Sequence, residues 1–143
     1  MGATKLLKGN HALVYGASGV TGWAIVNQIL NDYPNADTFT RVTALTNRPL
    51  SPEAAQWPKS DKLRVVSGLD LLKGSQEDLE ESMKQKISGV ENVTHVYFFA
   101  YMMDSDPGKE VAINVDLLKR AVVAIDRLSA GLQFVVLPTG TKV

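Results

Sequence analysis

The residues with the clearest chemical meaning stand together: Gly16-Ala17-Ser18-Gly19-Val20-Thr21-Gly22. They spell G-x-x-G-x-x-G between the apolar run His11 to Tyr15 and an amphipathic stretch. In that context glycines let the chain turn tightly and bring backbone N–H groups against a pyrophosphate. The N-terminus of the following helix adds about half a positive charge. The pattern predicts a nucleotide site at Gly16, Ser18, Gly19, Val20, Thr21 and Gly22. The plain alternative is a tight strand-to-helix turn.

The choice of nucleotide rests on the end of the second strand, Thr46-Asn47-Arg48. A site for NAD carries an acid there to bind the ribose 2′-hydroxyl. Arginine instead offers a planar fork to a 2′-phosphate. Arg48 therefore points to NADP, with NADPH preferred over NADH. A solvated loop arginine before Pro49 is the alternative. Asp70 and Leu71 follow the third strand, where they can meet an adenine amino group and ring; the alternative is an aspartate in a solvated turn. Ala100 and Tyr101 end the fourth strand, on the ribose and nicotinamide side. Met102-Met103 can line an apolar substrate pocket or pack the loop. Trp23 reads as core. His11 and His95 read as packing residues without metal-ligand spacing, so no metal site is expected. Asp106 reads as a helix cap.

These residues need a scaffold, and apolar patterning supplies one. His11 to Tyr15, Arg41 to Thr46, Leu63 to Ser67, Thr94 to Ala100 and Leu132 to Leu137 read as strands. A helix is predicted from Gly19 to about Tyr33, with Val20, Trp23, Ile25, Val26, Ile29 and Leu30 on one broad face and Pro34 as its stop. Ser51-Pro52-Glu53 starts a short helix over 52–57. Ser75 starts another, with Leu79, Met83 and Ile87 on one side. Asp106-Pro107 caps a long helix over about 108–129, whose apolar positions are Val111, Val115, Leu118, Val122 and Ile125. Gly131 suits the left-handed residue after its end. Apolar strands joined by helices imply an α/β fold: a doubly wound parallel Rossmann sheet of about five strands in order 3-2-1-4-5. Ligands bind such sheets where the winding reverses, here between the strands ending at Gly16 and Ala100.

Composition bounds the function. The 143 residues make one domain, 1–143, large enough for a single core. Fifteen basic and fifteen acidic side chains balance, which argues against a general nucleic-acid binder, whose basic face must release counterions from phosphates, and leaves a local anion site open. Cysteine is absent, which removes disulfides, thiolate metal sites and cysteine nucleophiles. No apolar run spans a bilayer, and Leu6 stands where a myristoylation signal needs Ser or Thr. The expected location is the cytoplasm.

Gly16-Ala17-Ser18-Gly19-Val20-Thr21-Gly22, Ala44-Leu45-Thr46-Asn47-Arg48-Pro49, Thr94-His95-Val96-Tyr97-Phe98-Phe99-Ala100 and Pro138-Thr139-Gly140-Thr141-Lys142 together resemble the extended short-chain dehydrogenase/reductases. Within them the sequence is most similar to the progesterone 5β-reductase/iridoid synthase-like group, fungal members included. The match runs along essentially the whole chain and covers the first part of such an enzyme. The resemblance implies that Gly16, Gly19, Val20, Thr21 and Gly22 bind pyrophosphate, that Asn47 and Arg48 bind the 2′-phosphate, and that Asp70 and Leu71 frame adenine. It places Thr139, Gly140 and Lys142 beside the nicotinamide, with Lys142 as catalytic lysine. Pro138 stands where the group often has Gln. The partner tyrosine of such enzymes has lysine four positions on; Tyr15, Tyr33, Tyr97 and Tyr101 are followed there by Gly19, Asp37, Tyr101 and Ser105. Tyr101 is the candidate substitute donor.

Three functions stay open at this point. One is an NADP-dependent reductase of enones (C=C or C=O) in small apolar metabolites, or its cofactor-binding part. Another is a truncated relative that has lost the cofactor and isomerises or cyclises a secondary metabolite. The last is a non-catalytic nucleotide- or partner-binding module. A homodimer or a partner chain is expected to bury the fifth strand, which is apolar and uncharged, or the adjoining 108–129 helix.

Overall fold

The computed structural model describes residues 9–139. Its strands are β1 (Asn10–Tyr15), β2 (Phe39–Thr46), β3 (Leu63–Ser67), β4 (His95–Phe98) and β5 (Phe134–Val136). Its helices are α1 (Val20–Leu30), α2 (Pro52–Ala55), α3 (Gln76–Lys86) and α4 (Pro107–Leu128), with a short 3-10 turn at Val90–Asn92. All strand pairs are parallel, in the order β3-β2-β1-β4-β5. This is the expected doubly wound sheet.

Strand alternation explains the two cores. Ala12 and Val14 of β1 join Val26, Ile29, Val42, Ala44 and Trp57 on the α1–α2 side. Leu13 and Tyr15 join Leu79, Met83, Ile87, Val96, Phe98 and Ile125 on the α3–α4 side. A strand buried on both sides must be apolar throughout, which is why β1 shows no polar alternation. Trp23 is a brace between helices: its Nε1 donates to Ala55 O at 2.7 Å, and Trp57 Nε1 donates to Trp23 O at 3.2 Å.

The caps follow the sequence. Ser51 Oγ accepts from Ala54 N, and Ser75 with Asp78 forms a reciprocal capping box. Asp106 Oδ1 accepts from Gly108 N at 2.9 Å and so opens α4.

Several boundaries differ from the sequence reading. α1 ends at Leu30, ahead of Pro34. Asp32 adopts φ 64°, Tyr33 N donates to Gln28 O and Asp32 N to Ile29 O, so a left-handed closing turn stops the helix first. Val20 is 90% exposed and does not share the buried face of Val26, Ile29 and Leu30. On α4 the buried residues are Leu117, Ala121, Ala124 and Ile125, while Val111 and Val115 are exposed. Small alanines let α4 approach α3 closely, and Val111 and Val115 turn outward. The helix closes on Ser129 in extended conformation, with Ser129 Oγ donating to Val90 O, so Gly131 is not a left-handed cap. β4 ends at Phe98 and not Ala100, and β5 keeps only three residues. β5 forms the sheet edge, with Phe134, Val135, Val136 and Leu137 exposed.

His11 and His95 are packing residues. His11 is buried, with Nε2 2.8 Å from Thr43 Oγ1; His95 lies between Phe39 and Phe134. Burial, helped by the Arg41 charge, depresses the His11 pKa to about 4. An unfolded histidine titrates near 6.5, so between these values the unfolded chain binds more protons. Stability should be full above pH 6.5 and fall as pH drops toward 4, by up to roughly 3 kcal/mol from this residue. Thermal midpoints across pH 4–7 will show the slope, with a smaller share from His95, which burial also lowers. A His11→Gln chain should show a flatter profile; an unchanged slope would exclude this origin.

A candidate nucleotide cleft

Where the winding reverses, β1 and β4 part and leave a cleft of about 330 Å³. Its wall includes Gly16, Ser18 and Gly19 from the turn after β1, and Asn47 and Arg48 from the end of β2. Asp70 and Leu71 come from the end of β3, and Ala100 and Tyr101 from the end of β4. Val20, Thr21 and Gly22 line an adjoining hollow with Leu137 and Pro138. The structure thus brings the sequence-picked residues from four strand ends to one place. Thr139 is exposed and follows Pro138; Gly140 and Lys142 lie outside the described residues.

The three glycines of the turn are required for different reasons. Gly16 has φ +75°, and a Cβ there would sit 2.7 Å from the Phe99 carbonyl carbon. A Cβ on Gly22 would collide with the Gly16 carbonyl oxygen. These two let β1, α1 and β4 pack. Gly19 is different: its φ is −78°, and a Cβ would meet only Gly16 O, at 3.4 Å. The fold itself tolerates a side chain there. What a side chain would fill is the space in front of the α1 N-terminus. That helix start has no side-chain cap and no acid in its first turn, so its N–H groups face outward with their partial positive charge. These features fit a phosphate group.

Arg48 is exposed and forms no ion pair or side-chain hydrogen bond among the described residues. Its loop is fixed from below: Thr46 Oγ1 donates to Arg48 O at 2.7 Å and lies 3.0 Å from Ser67 Oγ. Asp70 Oδ1 accepts from Leu72 N at 3.0 Å, which holds the turn and leaves the other carboxylate oxygen toward solvent. Leu71 is buried and forms part of the cleft wall.

The far rim is set by a clamp that sequence reasoning missed. Asn114 on α4 accepts from Met102 N at 2.9 Å and donates to Met102 O at 2.7 Å, as a neighbouring strand would. The signal was available: Asn114 is a lone amide among Val111, Val115 and Leu118. Tyr101 is exposed, and its hydroxyl donates to Glu110 Oε2 at 2.8 Å. That hydrogen bond to a carboxylate raises the phenol pKa. Met102 lines the cleft and Met103 is largely exposed. Tyr15, Leu45, Leu69, Phe99 and Leu117 also line the cleft, though the strand and helix patterns singled out none of them.

Comparison with known proteins agrees with this architecture. Residues 12–143 match the model of the PRISE-like Rossmann-fold domain. A short chain dehydrogenase, ausT, of Aspergillus calidoustus is 40% identical over 135 residues, covering 92% of this chain and 32% of the relative. The short chain dehydrogenase sirS of Leptosphaeria maculans is 34% identical, over 92% of this chain and 33% of its own length. The chain therefore spans about a third of these relatives. Among solved structures, a short-chain dehydrogenase/reductase from Burkholderia vietnamiensis superposes with TM-score 0.61 at 18% identity, covering 90% of this chain and 61% of that one. Uronate dehydrogenase from Agrobacterium tumefaciens gives TM-score 0.57 at 14% identity, over 90% and 40% of the two chains. With its sheet order, glycine turn and matched length, the chain belongs to the PRISE-like Rossmann-fold domain family.

Proposed function

We propose that this chain is the NADP(H)-binding part of a reductase acting on enones (C=C or C=O) in small apolar metabolites. The family implies a nicotinamide dinucleotide; the preference for the 2′-phosphorylated form is our reading. One observation carries it. An uncapped helix N-terminus with clear space at Gly19 opens on the same cleft as Arg48, an arginine without an internal side-chain partner among the described residues. Two positive features on the wall of one cleft suit a ligand phosphorylated at two points.

The roles follow from position. Backbone N–H groups of Val20, Thr21 and Gly22 would hold the pyrophosphate. Asn47 and Arg48 would hold the 2′-phosphate, and Asp70 and Leu71 the adenine. Ala100 would border the ribose, and Thr139 and Lys142 the nicotinamide. Bound NADPH would supply a hydride to the substrate. Tyr101 and Lys142 are the candidates for charge and proton at the substrate oxygen, with Met102 in the apolar wall.

Calorimetric titration with adenosine 2′,5′-bisphosphate and with 5′-AMP tests the reading without requiring turnover. The 2′-phosphorylated nucleotide should bind at least tenfold more tightly, about 1.4 kcal/mol. No binding of either by the folded chain would reject it and favour the cofactor-independent isomerase or cyclase. Binding of both with equal affinity would reject the 2′-phosphate role.

A further inference from the structure

Leu117 of α4 is buried and stands in the cleft wall. One turn before it, Asn114 holds the loop after β4: its Oδ1 accepts from Met102 N at 2.9 Å, and its Nδ2 donates to Met102 O at 2.7 Å. One turn after it, Arg120 holds the loop after β3. Its Nη2 donates to the carbonyls of Lys73, Gly74 and Ser75 at 3.3, 3.0 and 3.1 Å, and its own carbonyl accepts from Gln76 Nε2 at 3.0 Å. Residues three apart on a helix are neighbours, so one broad side of α4 carries the wall residue and both clamps.

The sheet stops short of both loops. Its last bonds toward them are Gly68 N to Thr46 O and Phe99 N to Tyr15 O. The cleft residues come after those points: Asp70 and Leu71 on one loop, Ala100, Tyr101 and Met102 on the other. Leu72 N donates to Asp70 Oδ1 at 3.0 Å and Lys73 N to Asp70 O at 3.4 Å, so the turn that bears Asp70 and Leu71 ends on the segment Arg120 anchors. The helices themselves have little use for either clamp. α3 already starts with the Ser75–Asp78 capping box, and a cation at a helix start opposes the helix dipole. Arg120 is also kept at a cost, since its Nε is enclosed without a partner among the described residues. Asparagine at 114 is a poorer helix former than leucine.

We propose that Asn114 and Arg120 are positioning residues for a bound nucleotide: from the two sides of Leu117 they fix the loops after β4 and β3 as walls of the cleft before the ligand arrives. The inference rests on the proposed NADP reading and assigns what holds its cleft in shape. Ordering a free loop on binding lowers affinity, and a loop already held in place avoids that loss.

Asn114→Leu and Arg120→Met remove the hydrogen-bonding groups and keep long apolar side chains on α4. Arg120→Lys returns three N–H donors to the same carbonyls. The 143-residue chain and the three variants are titrated with NADPH below their thermal midpoints. The expected result is affinity about three- to tenfold lower for Asn114→Leu and Arg120→Met, with Arg120→Lys within about twofold of the unmodified chain. Amide hydrogen exchange without ligand should be faster at Leu72 and Lys73 in Arg120→Met, and NADPH should slow it again. Unchanged affinity in the folded variants, even with a lower thermal midpoint, would overturn the inference and leave the clamps to the stability of the fold, while the NADP reading stands. Lower affinity without faster exchange in Arg120→Met would overturn it as well, by placing that side chain in direct contact with the ligand. Asn114→Leu reads the same inference should Arg120→Met not fold. Failure of the unmodified chain to bind NADPH would remove the NADP reading, and the inference with it.

Discussion

Gly19→Val should leave the chain folded and lower its affinity for NADPH by about two orders of magnitude. The two halves of that expectation come from different atoms. Within the protein a Cβ at position 19 meets only the Gly16 oxygen at 3.4 Å, an ordinary contact. Loss of the glycine N-cap should cost about 1 kcal/mol or less, because no side-chain cap is removed. A branched side chain would nevertheless keep a phosphate away from the first-turn N–H groups. Two charge-assisted hydrogen bonds at about 1.5 kcal/mol each amount to roughly a hundredfold in affinity. Gly22→Val is the control with the opposite signature. Its Cβ collides with the Gly16 carbonyl, a backbone atom that cannot move aside cheaply. That variant should lose 1–3 kcal/mol of stability or more, as overpacked positions do. Thermal unfolding and cofactor titration, run on both variants, distinguish a glycine kept for a ligand from one kept for packing. Unchanged affinity in folded Gly19→Val would remove the phosphate role from the turn.

Arg48→Ala should abolish the preference for NADPH and leave NADH binding where it was. The side chain has no internal partner among the described residues, so its removal exposes no buried group and should not change stability by more than about 0.5 kcal/mol. A guanidinium paired with a 2′-phosphate is worth about 1.5–3 kcal/mol when desolvated, and nearer the lower figure at an exposed rim such as this. A tenfold loss for NADPH alone is therefore the expectation. Arg48→Glu should go further and reverse the preference, because a carboxylate repels the phosphate and accepts from a free 2′-hydroxyl. Equal losses for both cofactors would show that Arg48 acts on the shared part of the molecule.

Much of this architecture was legible in the sequence, for a physical reason. A parallel sheet covered on both sides needs strands that are apolar throughout, and β1 at the centre is such a run. Ser75 with Asp78, and Asp106 with Pro107, announce helix starts through caps that depend only on local chain. The glycine turn was legible because its residues are contiguous. Long-range features were not. The spacing of Val111, Val115, Leu118 and Val122 describes an apolar stripe, but packing against α3 and the sheet selected Leu117, Ala121 and Ala124. Small residues decide close approach, and hydrophobicity alone does not identify them. Tyr15 reads as one more apolar residue of a buried strand; that its hydroxyl is enclosed and unpartnered among the described residues emerges only from the tertiary packing. The Asn114 clamp on Met102 joins residues that no local pattern pairs.

The central claim is that the Gly16–Gly22 turn and the strand ends around it hold NADP through its phosphates. An amide ¹H–¹⁵N spectrum of the chain, titrated with NADPH, reads that claim residue by residue. The largest shifts should fall on Gly19, Val20, Thr21 and Gly22, with a second group on Asn47, Arg48 and Leu71. The amides of β5 at the sheet edge should stay in place. A spectrum unmoved by millimolar NADPH, or one whose shifts lie away from the glycine turn, would contradict the account.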